Sequence, residues 1–193
     1  MAEPYDTLRY VARLSAAQKA AAYAQDAAFP GSDLGARLRS AIEDVSQDRL
    51  IRAEGCLRVA RKLRSEASGD EELLRTAIVR GYYSVHHAVR AICLRENQCD
   101  PDGHTESIEA FKKLLKDGDF RRRSGLPPEE FEAVMEARTN RHVADYSPYR
   151  EQPSSTRLAD NAVDRITDDD WERAADFNIA LAGRLSAVAL KLL

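Results

Sequence analysis

The stretch EELLRTAIVRGYYSVHHAVRAICLRE, residues 71–96, decides the fold class because its apolar residues repeat with the period of an α-helix. At about 100° per residue, one apolar stripe is formed by Leu74, Ile78, Gly81, Val85, Ala88, Val89 and Ile92. The preceding residues Ser68 and Asp70 are both suited to cap the N-terminus of a helix. The stretch therefore predicts a long helix with one face in a core.

The rest of the chain also carries helical patterns. Strand patterns and hairpin turns are almost absent from the sequence. Further helices are predicted over about residues 7–28, 33–67, 105–116, 127–146 and 167–192, with a turn or more around 157–165. We therefore predict an all-α, antiparallel (up-and-down) bundle of four to five main helices with short extra helices. Residues 1–40 are predicted to form an N-terminal helical arm, and residues 41–193 the bundle.

The composition excludes several classes of protein. Of the 193 residues, 44% are hydrophobic and 32% are charged, which is too apolar for a disordered chain. The net charge of −3 provides no global basic field, so nucleic-acid binding would require a local patch. No apolar run is long enough for a membrane span, and the N-terminus does not resemble a signal peptide. The odd number of cysteines fits a reducing compartment, and we predict a cytoplasmic protein.

Opposite the apolar stripe, the helix over residues 71–96 presents an unusual polar face. Thr76, Arg80, Tyr83 and His87 align there, whereas an exposed bundle helix usually carries Glu and Lys. Arginine, tyrosine and histidine suit an interface or an anion site. The alternative is a helix face that the N-terminal arm covers.

The stretch EARTNRHVADYSPY, residues 136–149, poses a second question. The apolar stripe of Phe131, Val134 and Met135 continues by threes and fours onto Arg138, Arg141, His142 and Asp145. Two explanations remain open. Arg141 and Asp145 could pair within the helix, or the charged turn could extend past the core and face a groove or a second subunit.

Arginine beside histidine also suggests phosphoryl-transfer chemistry. Arg138 or Arg141 would neutralise phosphate oxygens, and His142 would transfer a proton near neutral pH. A second basic cluster, Arg121, Arg122 and Arg123, follows three lysines and could hold RNA phosphates, or it could be a solvated loop. His104 is expected to cap or hinge its loop, and Asn178 to be a hydrogen-bonded core amide. The sequence contains no Gly-rich phosphate loop or zinc-ligand spacing, so we predict no metal and no cofactor.

Three segments together resemble the HEPN-domain family. RGYYSVHHAVRAICL (80–94) is similar to the family's Arg-x-Tyr-Tyr-x-x-x-His-Ala-x-Arg-Ala helix, with Gly81 and His86 as departures. GHTESIEAF (103–111) is similar to its Ser-His-Lys-Gly loop and following helix, and RHVADYSPY (141–149) to its Arg-x-x-Ala-Asp-Tyr segment. The likeness extends over about residues 45–190, in the family's order.

The resemblance implies a compact bundle that usually dimerises. Many HEPN proteins are metal-independent endoribonucleases, and several are toxins paired with a nucleotidyltransferase. Their signature places His four to six residues after Arg. Arg141 matches the signature Arg, but Tyr146 follows it after four residues and His142 is adjacent. The Ala-Asp-Tyr form resembles a branch that often lacks this His.

The resemblance thus implies a homodimeric module that binds RNA or a nucleotide. It would be a metal-independent ribonuclease of a toxin–antitoxin or defence pair, or a non-catalytic module that docks a nucleotidyltransferase. A purely structural dimer with an internal salt-bridge network is a third reading. The predicted catalytic residues are Arg138, Arg141 and His142. The predicted binding residues are Arg80, Tyr83, His87, Arg121, Arg122, Arg123, Asp145 and Tyr146.

Overall fold

The computed structural model describes residues 34–98, 100–101, 103–146 and 167–192. This part of the chain contains helices and no strand. The helices are α1 (Leu34–Glu66), α2 (Glu71–Asn97), α3 (His104–Leu114), α4 (Gly118–Ser124), α5 (Glu130–Tyr146) and α6 (Asp168–Leu192). The prediction of an all-α bundle of long helices with short extra ones is confirmed. The helices predicted over 7–28 and around 157–165 lie outside the described residues, and residue 40 falls within α1.

The ends of two long helices follow from local sequence. Asp70 caps α2, since its Oδ1 accepts hydrogen bonds from the backbone N–H of Glu72 at 2.9 Å and of Leu73 at 3.1 Å. Thr167 and Asp170 form a capping box at the start of α6. The Thr167 N–H donates to Asp170 Oδ2 at 2.9 Å, and the Asp170 N–H donates to Thr167 Oγ1 at 3.3 Å.

Two local expectations are wrong. The basic stretch after residue 117 is helical rather than a loop, because Asp117 caps α4 by accepting a hydrogen bond from the Asp119 N–H at 2.8 Å. Pro127 lies before α5 rather than in its first turn. The Pro127 carbonyl accepts a hydrogen bond from the Glu130 N–H at 3.2 Å. This bond closes a turn that comes directly before the helix.

Helix α2 lies at the centre of the bundle and packs against α1, α3, α5 and α6. The long helices alternate in direction along the chain. Near one end of α2, Arg95 pairs with Glu43 of α1 at 3.0 Å, and closer to its middle the Ser84 hydroxyl donates to the Ala53 carbonyl at 2.7 Å. Because α2 has neighbours on several sides, the core includes Tyr82 as well as every residue of the predicted stripe.

Glycine at position 81 lets α2 and α6 approach closely. A Cβ built there would lie 3.0 Å from the Asn178 Cβ and 3.4 Å from the Asn178 backbone carbon. The Asn178 amide Nδ2 donates to the carbonyls of Ile78 at 3.1 Å and Ala137 at 3.4 Å, and Asn140 donates to its oxygen at 3.3 Å. Asn178 is therefore the hydrogen-bonded core amide that the sequence predicts, and it joins α2, α5 and α6.

We expect opposite stability changes from alanine at two helical glycines. Gly55 lies on α1 with no atom within 4 Å of its added Cβ, so Gly55→Ala should raise the free energy of unfolding by about 0.5–1 kcal/mol. Gly81→Ala should lower it by about 1 kcal/mol, because overpacking outweighs the gain in helix propensity. Urea denaturation of both variants measures the difference. A stabilised Gly81→Ala variant would show that α6 moves freely away from α2.

The buried face of α5 differs from the predicted one. Val134 is buried as expected, but the buried face continues through Ala137, Asn140, Val143 and Ala144. The sequence predicts that the stripe continues onto four charged or polar residues. These residues instead lie along the edge of the buried face: Arg138, Arg141, His142 and Asp145. The core does not turn into charge, because small side chains and one paired amide complete the buried face.

Candidate functional site

A groove of about 730 Å³ runs between the N-terminal half of α2 and the end of α5. We call it the α2–α5 groove. Arg75, Arg80 and Tyr83 line it from α2, and Ala144 and Asp145 line it from α5. Two neighbouring glutamates and other α2 side chains complete the wall. The groove is therefore polar and carries both signs of charge.

Arg141 lies at the edge of this groove, in contact with two tyrosines. Its Nη2 is 2.6 Å from Asp145 Oδ2 and donates to Tyr83 Oη at 3.4 Å. The guanidinium carbon lies 5.8 Å from the centre of the Tyr83 ring and 5.2 Å from that of Tyr146. Its Nε is buried and has no hydrogen-bond partner in the described part of the chain. The pair within the helix therefore exists and borders a groove, but the charged turn does not extend past the core, because Val143 and Ala144 of the same turn are buried.

Arg80 and Arg75 line the same groove but differ in how their charges are compensated. Arg75 donates to the Ala144 carbonyl at 2.8 Å and lies 3.6 Å from Glu71. Arg80 is exposed and forms no ion pair or hydrogen bond among the described residues. Its guanidinium is therefore available to an anion that enters the groove.

His104 is the first residue of α3. It lies near Tyr83 of α2 and near Arg138 and Arg141 of α5. Its Nδ1 is 2.9 Å from the Tyr82 hydroxyl oxygen, and its ring centre is 4.1 Å from that of His86 and 6.0 Å from that of Tyr83. Next to it, Arg138 Nη2 donates to Thr105 Oγ1 at 3.3 Å. The sequence prediction of a cap or hinge missed this role, because the contact pairs residues 22 positions apart.

Comparison with known proteins assigns this helical arrangement to a family. A family model described as the HEPN domain matches residues 46–177. This chain belongs to the HEPN-domain family. No curated protein and no solved structure gives a match. The matched HEPN region runs from α1 into α6, so it contains α2, the α2–α5 groove and Arg141.

The protonation states around His104 follow from burial. Burial raises the pKa of the Tyr82 phenol to about 12, against a smaller effect of Arg138 and Arg141. Burial lowers the pKa of His104, and the positive charges of Arg141 and Arg138 add to the effect. Burial also lowers the pKa of His86, to about 2, with contributions from His104 and His87. These groups are therefore neutral at pH 7.

The two histidines predicted from the sequence as site residues, His87 and His142, lie elsewhere. His142 is exposed, and its ring centre lies 4.9 Å from that of Tyr146. His87 is not among the residues that line the groove. Burial lowers the pKa of His87 to about 4, with Arg49 as the next cause, so it faces the charged groups near α1. Within one chain, the structure thus brings Arg80, Tyr83, Arg141 and Asp145 together, with Arg138 and Tyr146 beside them, but not His87.

The basic cluster Arg121–Arg123 does not form one surface. Arg122 pairs with Asp119 at 2.7 Å, Arg123 pairs with Glu96 at 2.7 Å, and Arg121 is half-buried. Glu96 is 16 positions after Arg80 on the same helix, which corresponds to about 24 Å along the axis. The cluster is therefore separate from the α2–α5 groove, and much of its charge is compensated.

The residues that the structure describes contain no candidate for a metal site and none for a membrane-spanning helix. No group of three or more His, Cys, Asp or Glu side chains there is placed to hold a metal ion. None of the helices described is long and apolar enough to cross a membrane.

Proposed function

We propose that this HEPN chain is a homodimeric module that binds RNA or a nucleotide at the α2–α5 groove. The observation that carries the proposal is the exposed guanidinium of Arg80, which lines the groove without a carboxylate partner among the described residues. Guanidinium groups match the geometry of phosphate oxygens and bind them in a bidentate manner. The ring of Tyr83 offers a surface on which a base could stack.

Arg141 would supply a second contact to phosphate. The Asp145 carboxylate holds its Nη2 at 2.6 Å, which orients the guanidinium at the groove edge. The side chain is about one-fifth exposed, so a phosphate at the groove edge would experience a poorly screened charge. Arg80 and Arg141 together would then position successive phosphates or the phosphates of one nucleotide.

The biological setting extends the proposal beyond the groove. Family membership supports a homodimer, in which a second copy would contribute its own Arg141 edge. We place the module in a cytoplasmic toxin–antitoxin or defence pair with a nucleotidyltransferase partner, in line with the family resemblance. Ribonuclease activity would then be the metal-independent reaction of this site.

Replacing Arg80 by alanine is expected to weaken RNA binding about tenfold, the equivalent of about 1.4 kcal/mol. A lost charge-assisted hydrogen bond to phosphate accounts for a change of this size. Fluorescence anisotropy with a labelled single-stranded RNA measures the dissociation constant, with ATP as a competitor to detect nucleotide binding. Arg80→Ala should also reduce the dependence of binding on salt concentration, since one phosphate contact is lost.

Arg58→Ala is the matched control, because Arg58 is an exposed arginine that lines a different groove between α1 and α6. It removes the same charge and should change the dissociation constant less than twofold. Equal weakening by the two variants would indicate a general charge effect and contradict a specific site. Light scattering of the wild type should give about twice 21.6 kDa, and a monomer would contradict the homodimer.

A protein-docking module is the second candidate function. Tyr146 is 60% exposed, and His142 and Arg141 lie against its ring. Tyrosine and arginine are enriched at protein interfaces. Failure of the wild type to bind RNA or ATP would favour this function, with a nucleotidyltransferase as the partner.

A further inference from the structure

His104 is the histidine that the fold places beside the arginines of α5. The Tyr82 hydroxyl holds its Nδ1 at 2.9 Å, and the neighbouring Thr105 accepts a hydrogen bond from Arg138. The Tyr83 ring is 6.0 Å from the His104 ring, and the Tyr83 hydroxyl accepts a hydrogen bond from Arg141. By contrast, His142 packs its ring on the exposed Tyr146. Among the histidines of the chain, only His104 has a ring nitrogen that is hydrogen-bonded to another side chain and also lies near both Arg138 and Arg141.

The surroundings of His104 suit a group that gains and releases a proton. It is partly exposed, so one edge of its ring can reach a ligand while the other contacts Tyr82. The groups that face it are Tyr82, His86 and Arg90 from α2, and Arg138 and Arg141 from α5. Burial, with the positive charges of Arg141, Arg138 and Arg90, lowers the pKa of His104 and favours the neutral imidazole. When the Tyr82 oxygen accepts the Nδ1 proton, Nε2 carries a free lone pair.

We propose that His104 is the proton-transferring residue of the Arg138–Arg141 edge, and that its substrate is a ribonucleotide phosphodiester with a free 2′-hydroxyl. The inference rests on the proposed function, because it requires RNA to bind at this edge. It differs from the sequence prediction, which gave this role to His142. Helix α3 thus contributes a catalytic residue that the motif segment on α5 lacks.

The reaction balances without a metal or another reagent. His104 Nε2 removes the proton from a 2′-hydroxyl, and that oxygen attacks the adjacent phosphorus. The O2′–P bond forms while the P–O5′ bond breaks, and the leaving 5′-oxygen takes a proton from water. The hydroxide that remains takes the proton from the His104 imidazolium, which restores the neutral ring. Arg138 and Arg141 stabilise the charge that develops on the phosphoryl oxygens. The products are a 2′,3′-cyclic phosphate and a 5′-hydroxyl end.

The test compares cleavage and binding of one labelled RNA oligonucleotide by the full chain in EDTA. The variants are His104→Asn, which retains a group able to hydrogen-bond Tyr82 near the position of Nδ1, and Arg58→Ala as the control, because Arg58 lines a different groove. His142→Ala tests the assignment that the sequence favoured. We expect His104→Asn to reduce the cleavage rate at least about 100-fold, with a dissociation constant within twofold of the wild type. Arg58→Ala should change the rate less than threefold. The matching 2′-O-methyl oligonucleotide should bind without being cut.

Circular dichroism establishes that each variant is folded, and His104→Gln provides a second substitution if the asparagine variant is not. Near-wild-type cleavage by the folded His104 variant would overturn the proposal, as would loss of cleavage in His142→Ala alone. RNA binding without cleavage, at protein concentrations in excess of RNA, would also overturn it while leaving the proposed binding function intact. Absence of RNA binding would overturn it as well, and absence of both RNA and ATP binding would also overturn the proposed function.

Discussion

Replacing Asp100 by alanine is expected to lower the free energy of unfolding by about 3–5 kcal/mol, because it leaves two arginines without their shared partner in a buried site. Asp100 Oδ1 accepts a hydrogen bond from Arg90 Nε at 2.7 Å, and Oδ2 accepts one from Arg49 Nη2 at 2.7 Å. The Asp100 side chain is 5% exposed and that of Arg90 is 8% exposed. Water can therefore do little to replace the missing carboxylate.

The same substitution should disturb the candidate site. Asp100 lies between α2 and α3, and its bonds to Arg49 of α1 and Arg90 of α2 hold this connection in place. His104 begins α3 four positions later. We therefore expect Asp100→Ala to change the environment of His104 as well as the stability of the bundle.

Urea denaturation at pH 7 measures the loss of stability. Asp48→Ala provides the matched control, because Asp48 pairs with Arg52 at 3.0 Å with both side chains more than 40% exposed. Breaking this surface pair should cost less than about 0.5 kcal/mol. A loss below about 1 kcal/mol in Asp100→Ala would mean that the two arginines find other partners or water.

The second large effect is a loss of stability on acidification. Burial lowers the pKa of His86 to about 2, against about 6.5 in an unfolded chain. Protonation therefore favours the unfolded state. The stability that the folded protein has while His86 is neutral is fully present above about pH 6.5. It is lost progressively as the pH falls toward the pKa of His86 in the folded state. For His86 alone, the free energy of unfolding should fall by about 2 kcal/mol between pH 7 and pH 5.

His87 should add to the effect in the same window, since burial and Arg49 lower its pKa to about 4. Urea denaturation of the wild type at pH 7 and pH 5 measures the total loss. His86→Phe keeps an aromatic ring in contact with Tyr82 and His104 but cannot be protonated, so its loss should be smaller by about 2 kcal/mol. Identical pH dependence of the wild type and His86→Phe would contradict the assignment.

Local sequence predicted the helices well because their signals are local. The predicted helix over residues 71–96 is α2, Glu71–Asn97, and its start depends on a cap that lies one residue before it. The capping box at Thr167 marks the start of α6 in the same way. Periodicity in α2 was informative because large apolar residues lie on one face. In α5 the buried face relies on Ala137, Asn140 and Ala144, which carry little hydrophobic signal.

The sequence by itself determined the helical class, the positions of the long helices and the HEPN resemblance. Each of these depends on residues close together in the chain. Tertiary structure alone decided which charged groups meet. The packing of α3 against α2 brings His104 to Tyr82, and Gly81 allows α6 to approach closely enough for Asn178 to bond across three helices. Conversely, Arg122 and Arg123 are adjacent in sequence but point to different partners, because successive helical residues are separated by about 100°.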